Sequence, residues 1–84
     1  MELDNWLHSK AQSIVDKIQS HKGTEEDLED VVGTAISSIG VVGDAEDLIS
    51  TVRDLRHIGT KAGTITFVHQ FLKDSGAALA WALL

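Results

Sequence analysis

Apolar positions recur along this chain every three to four residues, broken by short polar or glycine-containing stretches. Leu3, Leu7, Ala11, Ile14 and Ile18 follow at spacings of four, four, three and four, which puts them on one face of a helix. His21 and Lys22 come at its end, where the helix dipole favours positive charge, and Gly23 offers a left-handed cap. Thr24 opens a second helix, with Asp27 three residues on in the manner of a capping box. Leu28, Val31, Val32, Ala35, Ile36 and Ile39 then carry the helical period up to Gly40.

Asp44 is placed to cap a third helix, with Leu48, Val52 and Leu55 inward and Ile49 beside them. Gly59 ends it and Thr60 caps a fourth. In that last segment, "TITFV" at 64–68 has the β-branched and aromatic composition of a strand. Ile65, Val68 and Leu72, with Phe71 adjacent, also keep the helical period, and no partner strand stands elsewhere, so the segment is read as helix. Asp74, Ser75 and Gly76 are the place for a break before "AALAWALL". The links are only a few residues long, which implies antiparallel neighbours. The expectation is an all-α fold: a small up-and-down antiparallel bundle of four helices, or five if the last breaks near Asp74–Gly76, with residues 1–84 as one domain.

The length of 84 residues limits the apolar area a lone copy buries. The absence of Cys excludes a disulfide framework and a thiolate metal site, and fits a reducing compartment. The longest strictly apolar run, Ala77 to Leu84, is far short of the ~20 residues that span a bilayer. The start, "MELDNWLHSK", is acidic and polar, unlike a signal peptide, so a cytoplasmic location is the expectation. A net charge of −6 argues against a nucleic-acid backbone or an anionic membrane surface as main partner.

The charge is unevenly spread. Residues 24–47 hold Glu25, Glu26, Asp27, Glu29, Asp30, Asp44, Glu46 and Asp47 with no Lys or Arg. Residues 48–84 hold Arg53, Arg56, Lys61 and Lys73 against Asp54 and Asp74. Acids gather at helix starts because the dipole is positive there. A polarised surface of this kind also suits a basic partner or a second copy.

The stretch "GVVGDAEDL", residues 40–48, is where a ligand loop would sit. A GxxG clamp for a nucleic-acid backbone carries Lys or Arg; here Val41-Val42 fill the middle, and Asp44, Glu46 and Asp47 follow. A phosphate loop needs a preceding strand and a Lys after its last glycine, and neither is present. The corner reading remains: Gly40 ends a helix, Val41 and Val42 plug the turn, Gly43 permits a positive φ and Asp44 caps the next helix. "VGDAEDL", residues 42–48, resembles "VGDAxDL" stretches in helical linker regions ahead of bacterial polymorphic toxin domains. That resemblance implies a helical, non-catalytic accessory segment.

No two of the four histidines, His8, His21, His57 and His69, are three to five residues apart, so none forms a ligand pair on one helix turn. The acids of 25–30 crowd a first helical turn rather than a pocket, and Ser37-Ser38 reads as a surface pair. No catalytic residue, metal or cofactor is expected. "GTKAG", 59–63, has small-xxx-small spacing but reads as a helix stop and restart. Gly33, inside a strongly periodic helix, costs about 1 kcal/mol against Ala unless another helix packs over it.

"AALAWALL" is apolar on nearly every side, and a helix of that kind has to be covered. Leu79, Trp81, Leu83 and Leu84, joined by Trp6, form the expected partner-binding patch; the opposing expectation packs the last turn over the bundle end. Glu25, Glu26, Glu29 and Asp30 with Arg53 and Arg56 are the orienting charges, either across a contact or within the chain. The function expected is association with protein, through self-assembly into a homo-oligomer or with a different chain. Peripheral membrane attachment through residues 77–84 is the alternative, as is an acidic-surface regulatory binder of a basic protein, including an accessory segment of a bacterial toxin system.

Overall fold

A computed structural model describes residues 2–41, 44–77, 79 and 82. Among the described residues the chain forms helices α1 (Glu2–Ser20), α2 (Glu25–Ser38), α3 (Ala45–Ile58) and α4 (Lys61–Leu72) and no strand. Each helix packs against the next, and α4 returns against α1 in the most extensive pairing of the bundle, while α1 and α3 meet only slightly. Side-chain contacts between polar groups fix the directions. Asp16, late in α1, meets Lys61 at the start of α4, and Asp4, early in α1, meets His69 late in α4. Glu25 at the start of α2 meets Arg53 in the second half of α3. These pairs belong to an antiparallel up-and-down bundle.

The helix starts are built by side chains that accept from otherwise unpaired backbone amides. Asp27 N–H donates to Thr24 Oγ1 at 3.1 Å, Glu46 N–H to Asp44 Oδ1 at 2.9 Å, and Gly63 N–H to Thr60 Oγ1 at 3.0 Å. The α2–α3 corner is a Schellman turn: Val41 N–H donates to Ile36 O and Gly40 N–H to Ser37 O, with Gly40 at φ +76°. Val41 is buried beneath the turn, as the apolar plug of that motif should be. Val42 and Gly43 lie outside the described residues.

Gly23 behaves differently from the expected left-handed cap; positive φ occurs only at Gly40 and Gly76 among the described residues. An added Cβ at 23 would lie 2.9 Å from His21 Nε2, which sits 3.1 Å from Thr24 O, so the His21 side chain would have to shift to admit it.

The core is aliphatic. Leu7, Ala11, Ile14, Val15 and Ile18 of α1 meet Leu28, Val32, Ile36 and Ile39 of the second helix and its cap, Leu48, Ile49 and Val52 of α3, and Ile65, Val68 and Leu72 of α4. Residues 64–68 are helical. Thr64 is buried with them, and its hydroxyl donates to Thr60 O at 3.0 Å, so the polar group is not left unpaired. Leu3, Trp6, Ala35, Ala45 and Phe71 lean on this core from its margins. After Leu72 the helix opens into a widened π-type turn, Lys73–Ala77, and breaks at Gly76, φ +106°. The break falls inside the Asp74–Gly76 stretch. Leu79 and Ala82 are again helical.

Candidate interaction surface

The C-terminal segment starts from a fixed point. A Cβ placed on Gly76 would lie 3.8 Å from the Gly40 carbonyl oxygen, and Ala77 is fully buried. Gly76 and Ala77 therefore sit at the pole formed by the α2–α3 corner, the start of α1 and the end of α4. Leu79, three residues after Gly76, is 67% exposed. Trp6 is half-buried against the core at this pole, with Lys10 Nζ 5.9 Å from its ring centroid. Of the expected patch, Leu79 and Trp6 are thus placed. Trp81, Leu83 and Leu84 lie outside the described residues.

A second apolar surface was not anticipated. Ile58 is 82% and Phe67 44% exposed. Successive residues turn a helix by about 100°. On α4, His69 faces α1, its Nε2 3.6 Å from Asp4 Oδ1 and its ring 6.3 Å from that of His8. Phe67, two residues earlier, lies about 200° away, on the flank towards α3. On α3, Arg53 faces α2 through Glu25. Leu55 and Ile58 are about 200° and 140° round from it, on the flank towards α4. Leu55, Ile58 and Phe67 therefore share the α3–α4 side. The sequence signal was the width of the α4 apolar set: Phe67 falls outside the Ile65–Val68–Leu72 stripe.

The orienting charges separate into one pair and several lone groups. Arg53 Nη1 donates to Glu25 Oε1 at 2.7 Å, with both side chains about half exposed. Lys61 pairs with Asp16 at 2.7 Å rather than with any acid of 25–30. Glu26, Glu29, Asp30 and Arg56 form no ion pair among the described residues. The Glu29 carboxyl is held above its ordinary value, first by partial desolvation and then by the neighbouring charges of Glu46, Glu25, Glu26 and Asp30.

Among the described residues, no three His, Asp or Glu side chains converge as a metal set, and no helix is long and apolar enough to cross a membrane. Val31, expected inward, is 40% exposed, because α1 and α3 cover a narrower arc of α2 than its apolar positions span. It lines a shallow groove of about 470 Å³ with Lys17, Asp30, Thr34, Ala35 and Ser38. Of residues 42–48, the described part supplies the Asp44 cap and buried Leu48, which is ordinary helix-start chemistry. Against protein families, curated proteins and solved structures alike, the sequence and fold of this chain find no match.

Proposed function

We propose that this chain is a non-catalytic helical association module that packs against protein, most simply a second copy of itself. The observation that carries the reading is the exposure of Leu79, 67%, on a segment whose first residues are anchored in the core. Exposed apolar side chains on a small domain mark contact sites. Ile58, at the opposite pole, and Phe67 are further exposed apolar side chains. Apart from buried Thr64, whose hydroxyl is satisfied by Thr60 O, the polar groups described sit on open surfaces or in helix caps, which suits docking better than chemistry on a small substrate.

Sedimentation equilibrium over a concentration series tests this. The expected mass exceeds that of one chain and falls to it on dilution; Leu79→Ser shifts the equilibrium towards monomer while circular dichroism stays helical. A single-chain mass at every concentration, unchanged by Leu79→Ser, overturns self-association. Flotation with liposomes would move the reading to a membrane surface.

A further inference from the structure

Helix α2 turns a distinctive face to solvent. Its buried stripe is Leu28, Val32 and Ile36. On the outside, Asp30, Thr34 and Ser38 form an i, i+4, i+8 ridge with a shallow groove on each flank. One groove, about 470 Å³, has Val31 and Ala35 as its apolar floor. The other, about 600 Å³, is lined by Glu29, Gly33 and Ser37, and Gly33 leaves the backbone bare there beside Ala45 of α3. Short side chains along such a face let another helix come close.

The wider groove is edged by Glu29 and Asp30 with no base in its lining, while on the narrower one Lys17 stands beside Asp30. Of the acids at 25–30 and 44–47, Glu25 alone has an ion-pair partner among the described residues. Glu29, which lines the wider groove, has Glu46, Glu25, Glu26 and Asp30 as the charged neighbours acting on it, all of one sign.

We propose that the outer face of α2 docks a basic amphipathic helix of a partner protein. Small apolar side chains of that helix lie over Val31 and Ala35, and its Lys or Arg groups reach Glu29 and Asp30. The charge selects this occupant. A lipid headgroup layer or a nucleic acid would bring negative charge onto a negative face. A second copy is poorly matched too, because it carries net −6 and would bring further negative charge onto this face. This surface is separate from Leu79 and Phe67, so docking here and self-association are read independently.

The test titrates the isotope-labelled full chain with two synthetic helical peptides. Both carry alanine and leucine on one face; the other face is lysine in the first and glutamate in the second. The lysine peptide is expected to shift the backbone amides of residues 29–38, to weaken steeply with added salt, and to lose about tenfold or more in affinity against Glu29→Gln/Asp30→Asn. Val31→Ser weakens it further at high salt, whereas Asp54→Asn on α3 leaves it unchanged. The glutamate peptide does not bind. Shifts centred on another surface, equal affinity for Glu29→Gln/Asp30→Asn, or equal binding of an unstructured polylysine without an apolar face would each overturn the proposal. Circular dichroism of the variants shows that the helices persist.

Discussion

Arg53 Nη1 and Glu25 Oε1 stand 2.7 Å apart, tying the second half of α3 to the first turn of α2. The link is specific in geometry and modest in energy. Both groups are about half exposed, and exposed pairs contribute about 0–1 kcal/mol. A double-mutant cycle with Glu25→Gln and Arg53→Gln, followed by thermal melts, should give a coupling inside that range that shrinks with salt. A coupling of several kcal/mol would mean that the pair is shielded from solvent.

The helix caps matter more for each residue. Asp44→Ala removes the acceptor of the Glu46 amide, and Thr24→Ala and Thr60→Ala remove those of Asp27 and Gly63. Each is expected to cost about 1 kcal/mol in a denaturant titration. An unchanged midpoint for Asp44→Ala would show that its cap does not stabilise α3.

Glycine substitutions should divide by backbone conformation. Gly33 lies in the middle of α2, and an added Cβ would meet only Ala45 Cβ, at an ordinary 3.9 Å. Gly33→Ala should therefore stabilise the fold by up to about 1 kcal/mol. Gly40 has φ +76°, where a side chain costs roughly 1–2 kcal/mol, so Gly40→Ala should lower the melting temperature. Opposite signs for the two variants are the expected result; a loss at Gly33 would reveal packing tighter than this contact.

Acid should relieve strain around Glu29. Its folded pKa is raised, by desolvation and then by the carboxylates of Glu46, Glu25, Glu26 and Asp30, so the folded chain holds the proton more tightly than the unfolded one. Linkage then makes stability fall as pH rises between the ordinary value, about 4.3, and the higher folded value. Above that window the ionised group is a constant penalty, and below it the penalty is gone. Glu29→Gln is expected to raise the melting temperature at neutral pH and to have no effect at a pH below the window. A variant that melts lower at neutral pH would contradict the repulsion.

Much of this architecture is legible in the residues. Thr24, Asp44 and Thr60 announce the helix starts, Gly40 the corner, and the Leu7–Ala11–Ile14–Ile18 spacing the buried side of α1, because caps and periodicity are local physics. What escaped is set by neighbours. Val15 widens the buried arc of α1, and Val31 is left out of the arc of α2, since how much of a helix is covered depends on where the others cross it. Lys61 chose Asp16 over the acids at 25–30 because the α1–α4 pairing brings those ends together. Of the expected patch, Leu79 is open to solvent and Trp6 half-buried, while Ile58 and Phe67 become visible as surface only once α3 and α4 lie side by side.

The backbone of Gly76 rests close to the carbonyl of Gly40, with both residues in left-handed conformation. Sequence neighbours they are not; mechanically they are. Gly76 rests against the corner that the Val41 amide closes, so loosening of the chain at Gly76 should speed hydrogen exchange at Val41.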